Sequence, residues 1–140
     1  MKQGFTLLET LASLAVLGVL IFAASPAFID RAPKYRLERA TWEIQTKLNY
    51  ARYRAIRQGY PVRVLFRPAG YTVEKYVDGL DIWRPESAGA IEGVQIEANN
   101  TPTFYPAGTV SNFATILVSN TWGKNRITLA ITGRIKVTKL

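Results

Sequence analysis

The reading of the fold turns on the first stretch of the chain, Met1-Lys2-Gln3-Gly4-Phe5-Thr6-Leu7-Leu8-Glu9, and on the apolar run that continues from it to Asp30. Between Glu9 and Asp30 no residue is charged. As a helix this run is about 30 Å long, the thickness of a bilayer core. An ordinary membrane anchor is one reading. A cleaved secretory signal is another, with Ala23-Ala24-Ser25 as its candidate cleavage site. Glu9 suits neither, because a lone carboxylate near the lipid core costs about 2.5–3.5 kcal/mol on insertion scales. It calls for a partner, and Lys2 lies too close to the start of the chain to fold back onto it. Gly18 and Pro26 interrupt the run, and Pro26 removes a backbone donor, so a kink or local melting is expected near Phe22.

Gly4-Phe5-Thr6-Leu7-Leu8-Glu9 resembles the processing motif of type IV pilins and type II secretion pseudopilins. The resemblance implies that a prepilin peptidase removes residues 1–4 as a leader by cutting after Gly4. It also implies that Phe5 becomes an N-methylated N-terminus. Glu9 then pairs with the terminal amine of a neighbouring subunit during assembly. Residues 5–30 are expected to be a transmembrane and assembly helix, and residues 31–140 a periplasmic or extracellular globular domain. The implied partners are other pilin or pseudopilin subunits, the peptidase, and the inner membrane before assembly. After assembly the subunit would lie in a filament or pilus at the cell surface.

Composition narrows the chemistry. The 140 residues contain no Cys and no His, which removes disulfides, thiolate nucleophiles, and the commonest general base and metal ligand. No enzyme activity, cofactor or metal centre is expected. Lys and Arg number 18 against 10 Asp and Glu, a net charge of +8. The charge is unevenly placed: +8 over residues 31–67, −4 over 74–97 and +5 over 124–140. Such an excess favours acidic partners.

Beyond the apolar run, Leu37, Ala40, Ile44, Leu48, Ala51 and Ala55 recur at helical spacing and predict an amphipathic helix over 34–58, ended by Gly59 and Pro61. The opposite face, Arg36, Arg39, Glu43, Lys47, Tyr50, Arg54 and Arg57, reads as a solvated surface or subunit interface, with a nucleic-acid groove as the lesser alternative. After Pro61 the period changes to two. Strands are predicted at 62–67, 71–77, 80–83, 91–97, 103–105, 114–119, 126–131 and 134–138. Asp78-Gly79 and Thr132-Gly133 are expected to be hairpin turns, and 85–93 and 99–113 loops. The expected fold is α+β: a long N-terminal helix whose second half packs on an antiparallel sheet. Ala51-Arg52-Tyr53-Arg54-Ala55-Ile56-Arg57-Gln58-Gly59, Phe104-Tyr105-Pro106-Ala107-Gly108 and the closing Gly133-Arg134-Ile135 are similar to the GspH/FimT branch of minor pilins.

The C-terminal stretch carries Lys124, Arg126, Arg134, Lys136 and Lys139 with no acid. Alternation places Arg134 and Lys136 side by side on the exposed face of the last strand. Five cations suit a phosphate-tracking surface, with Trp122 available for base stacking. Lysines on a terminal strand also guard an edge against aggregation. FimT-type minor pilins are implicated in DNA uptake, and their tail carries Gly-Arg-x-Arg. Here Gly133-Arg134-Ile135-Lys136 has Lys in the last place, which keeps the charge and loses bidentate geometry. Three functions follow: a minor pilin binding DNA nonspecifically through this tail, a type II secretion pseudopilin, or a structural subunit whose acidic segment 74–97 meets the basic helix face of a neighbour.

Overall fold

The computed structural model describes residues 6–140, with the side chains of residues 22–31 left outside the description. Two compact units are present, Met1–Ala32 and Pro33–Leu140. One helix, α1 (Leu7–Gln58), contributes to both. In the first unit every large apolar side chain from Leu7 to Ile21 is at least 54 % exposed. So much uncovered apolar surface requires lipid or other helices around it. Among the described residues no helix is long and apolar enough to cross a membrane. The expected span relies on residues 22–30 as well; the local melting expected near Phe22 is not present, because α1 runs helical without a break from Leu7 to Gln58.

In the second unit the predicted stripe is the buried one. Leu37, Ala40, Ile44, Leu48, Ala51 and Ala55 are each at most 4 % exposed. Helix α1 ends where the Gly59 N–H donates to the Ala55 carbonyl, with Gly59 in the left-handed region (φ 75°) that a glycine adopts without a Cβ clash.

The stripe packs on two antiparallel sheets. The first contains β1 (Val62–Arg67), β2 (Gly70–Val77), β3 (Ile82–Ala90), β5 (Thr103–Phe104) and β6 (Val110–Ser111), in the order β3-β2-β1-β5-β6. The second contains β4 (Gln95–Ala98), β7 (Thr115–Ser119), β8 (Lys124–Leu129) and β9 (Ile135–Lys139), in the order β4-β7-β8-β9. Their inward residues close one core with the helix. Val62, Val64, Val73, Phe104, Ile116 and Ile127 are fully buried there. A buried polar bridge sets the helix against β8: the Asn125 amide donates to Thr41 Oγ1 at 2.9 Å, and that hydroxyl donates to the Leu37 carbonyl at 2.7 Å.

Several boundaries differ from the sequence expectation. The segment 85–93, expected as a loop, is strand as far as Ala90, including Pro85. Proline is tolerated because β3 is the edge of its sheet. The register slips between Val73 and Glu74, so Glu86 is the unpaired residue of a bulge. The β2–β3 turn takes four residues, 78–81, with Asp81 at φ 51°, and is not the two-residue Asp78-Gly79 turn. Strand β4 starts at Gln95 and not at residue 91; β5 falls on the strand expected at 103–105, and the loop-rich stretch 99–113 also holds β6, which was not expected. In the last hairpin the Gly133 N–H closes on the Ala130 carbonyl. Ile131-Thr132 are therefore the central turn residues, and Gly133 follows them at φ 77°.

Candidate functional site

At the N-terminus, Thr6 precedes the first helical residue and Glu9 lies three residues on. The Glu9 N–H donates to Thr6 Oγ1 at 3.3 Å, while the Thr6 N–H and hydroxyl reach the Glu9 carboxylate at 3.4 and 3.5 Å. This is a capping box, in which Thr and Glu satisfy orphan donors of the first turn reciprocally. Its signature, Thr6-x-x-Glu9, stands in the sequence, but the reading of Glu9 as an assembly residue overlooked it. The box leaves Glu9 exposed, and among the described residues it forms no ion pair. The expected cleavage between Gly4 and Phe5, and the methylation of Phe5, lie outside the described residues.

At the other end of the chain the fold divides the five cations. Strand β8 alternates, with Asn125, Ile127 and Leu129 inward and Lys124, Arg126 and Thr128 outward. Strand β9 pairs Thr138 with Arg126 and Lys136 with Thr128, so Lys124, Arg126 and Lys136 share the outward face. Arg134 is exposed at the end of the β8–β9 turn. Lys139 pairs with the inward Asn125, and its ammonium lies 3.3 Å from the Glu38 carboxylate on α1. The outward face also carries an acid: Glu97 pairs with Leu117, which pairs with Arg126. Two strand spacings put Glu97 about 10 Å from Arg126 across the sheet.

Gly133, the glycine of the tail motif, is a packing position. Arg52 donates to the carbonyls of Gly133 and Thr132 at 3.2 and 3.3 Å, tying the hairpin turn to the helix. A Cβ on Gly133 would come within 2.9 Å of the Arg52 guanidinium and of the Gly108 carbonyl oxygen. Three stretches singled out in the sequence, around Arg52, Gly108 and Gly133, thus converge at one structural joint.

The polar face of α1 is less free than its sequence suggests. Arg54 donates to Glu86 at 2.6 Å, with Lys75 at 3.7 Å and the Tyr60 hydroxyl at 3.4 Å from the same oxygen. The bulge at Glu86 turns that carboxylate toward the helix. The hydrogen bond to Glu86 raises the Arg54 pKa, and burial raises that of the Tyr60 phenol. Tyr71 donates to Glu43 at 3.2 Å with Lys47 over its ring, and burial raises its pKa too. On the opposite side of the sheet Arg63 pairs with Glu74 at 2.6 Å and stacks 4.3 Å above Trp83. Two acids of the segment 74–97, Glu74 and Glu86, are therefore held within the chain, one of them by the very helix face that was expected to meet a neighbour's acids.

Known proteins give a consistent placement. The prokaryotic N-terminal methylation motif matches residues 1–25. The model for the type II transport protein GspH matches residues 40–133, from the buried face of α1 to the glycine of the last turn. No curated protein matches the chain in sequence. Two structures of the minor pseudopilin EpsH from the type II secretion system of Vibrio cholerae share the fold. One is 13 % identical with a TM-score of 0.64, covering 74 % of this chain and 97 % of that one. The other is 12 % identical with a TM-score of 0.65, covering 76 % and 95 %. Since the GspH model accounts for more than half of its length, the chain belongs to the GspH family of type II transport proteins.

Proposed function

We propose that the chain is a non-catalytic minor pseudopilin of a type II secretion system. Residues 5–30 hold it in the inner membrane before assembly, and the processed N-terminus joins it to sister subunits. The observation that carries this reading is the N-terminal motif with Glu9 exposed on a helix of uncovered apolar side chains. In the bilayer the carboxylate is costly. When helices bundle, the terminal amine of a neighbour neutralises it, and a desolvated pair of this kind selects register more than it adds stability. The capping box prepares the contact by holding the carboxylate beside the first turn. Co-expression with the other pseudopilins tests the reading. Glu9→Leu should leave the chain in the membrane and deplete it from the assembled fraction; assembly at the level of the unaltered chain would contradict it.

A second reading rests on the outward face of β8 and β9, where Lys124, Arg126 and Lys136 stand together with Arg134 nearby. This is a surface for nonspecific DNA binding, because phosphate contacts carry no base information. Four contacts would make log K fall with log salt at a slope of about 3.6. A gel shift of the full chain in detergent tests it, and unchanged affinity in Arg126→Ala with Arg134→Ala and Lys136→Ala would dismiss it.

A further inference from the structure

The strand pairing that separates the five tail cations also gathers some of them with residues from elsewhere. Lys124 and Lys139 lie at one end of the β8–β9 hairpin, and Arg134 lies at the turn that forms its other end. At the first end Lys34, Glu38, Trp122, Lys124, Lys139 and Leu140 line a cleft of about 230 Å³. The turn carrying Trp122 is fixed there, because the Asn120 amide donates to the Pro33 carbonyl at 2.7 Å. Trp122 is 57 % exposed, Lys139 is 76 % exposed at its side chain, and Leu140 is 59 % exposed. The Lys139 ammonium lies within ion-pair distance of the Glu38 carboxylate, and Lys34 and Lys124 line the same cleft. Pro33 opens this unit only three residues after Asp30, the end of the uncharged run. Three residues of chain reach about 10 Å at most, so residue 33 stays close to wherever that run ends.

We infer that this cleft is a docking site for the surface of a bilayer containing anionic phospholipid. The three lysines meet headgroup phosphates, while Trp122 and Leu140 enter the interfacial layer. Charge and aromatic chemistry together favour this occupant. An exposed indole beside lysines, adjoining a membrane-anchored segment, is the composition of a membrane interface. Anionic lipid attracts juxtamembrane lysines within a Debye length of the surface. Docking holds the globular unit against the membrane before assembly, and extraction into a filament then includes release of these contacts. The inference rests on the membrane anchorage proposed above.

The chain has no native Cys, so single labels can be placed cleanly. Full-length chain carrying Thr121→Cys with a fluorophore is reconstituted into vesicles of phosphatidylcholine alone, or of equal parts phosphatidylcholine and phosphatidylglycerol. Quenching by a nitroxide borne on lipid headgroups reads contact, and flotation reads anchorage. Lipid quenching at residue 121 is expected in the phosphatidylglycerol vesicles and weak in the neutral ones. A label at Thr132→Cys, at the far end of the hairpin, should stay unquenched in both. Replacing Lys34, Lys124 and Lys139 by Gln should lower the ratio of docked to undocked chain roughly a hundredfold, with the circular dichroism unchanged. Flotation in both lipids without quenching at residue 121 overturns the inference and leaves anchorage standing. Flotation only with phosphatidylglycerol overturns anchorage, and then quenching at residue 121 upholds the cleft while its absence overturns it; flotation in neither overturns both. If the triple variant loses affinity for duplex DNA but keeps its lipid quenching, the cleft serves DNA and the inference fails.

Discussion

Gly133 illustrates how much a single position carries. Its φ of 77° lies in the region where a Cβ is strained, and the added carbon would meet the Arg52 guanidinium and the Gly108 carbonyl. Gly133→Ala should therefore destabilise the fold by about 1–3 kcal/mol, read as a lowered midpoint in thermal unfolding. The sequence drew attention to this glycine as part of a DNA-binding tail, and the structure gives it a packing duty. Nothing in the local sequence announces that Arg52, some eighty residues away, closes over it. Two tyrosines, Tyr71 in the core and Tyr60 half-buried beside it, support a second prediction at this scale. Burial raises the pKa of Tyr60 and Tyr71 above the unfolded value of 10.0. The folded state therefore holds the phenolic protons more tightly. Their contribution to stability is intact below pH 10 and is lost as pH rises through the raised folded values. Unfolding midpoints measured across alkaline pH should fall accordingly, and less steeply in Tyr60→Phe with Tyr71→Phe.

The second half of α1 and the strands it covers depend on one apolar stripe and one polar bridge. Leu48 is fully buried at the middle of the stripe, so Leu48→Ala should cost about 2–5 kcal/mol in denaturant unfolding. The bridge from Asn125 to Thr41 should make Asn125→Ala cost about 1–3 kcal/mol, because a buried hydroxyl loses its donor. The stripe was legible in the sequence from Leu37 to Ala55, since helical periodicity is a local property. Strands β1, β2, β5, β7, β8 and β9 were legible to within two residues at every end for the same reason. Strand β3 was not legible beyond its first residues, because Pro85, Gly89 and a run of small residues imitate a loop. What makes that segment a strand is nonlocal: β2 pairs along it, the Tyr71 ring lies across Gly89, and Arg54 holds the Glu86 bulge.

Over the whole molecule, the sequence located the chemistry at the two ends but not its arrangement. The N-terminal motif was readable because its elements are contiguous. The basic tail read as one surface, whereas strand pairing places Lys139 on the helix side, brings Glu97 onto the outward sheet face and sets Arg134 apart from Lys124. Charge counts along a chain do not report which face or end of a sheet a residue occupies. The same pairing consumes acids of the segment 74–97 internally, which weakens the case for that segment as a free complement to a neighbour's helix. Glu86→Gln should accordingly destabilise the isolated chain, through loss of the Arg54 and Lys75 contacts, measurably in thermal unfolding and without any partner present. The central claim is that this chain is a processed subunit whose mature N-terminus is built for assembly. Mass spectrometry of the chain recovered from membranes containing a prepilin peptidase tests it most directly. Loss of Met1 through Gly4 together with one methyl group on Phe5 is the predicted result; an intact leader, or cleavage after Ala24, would contradict it.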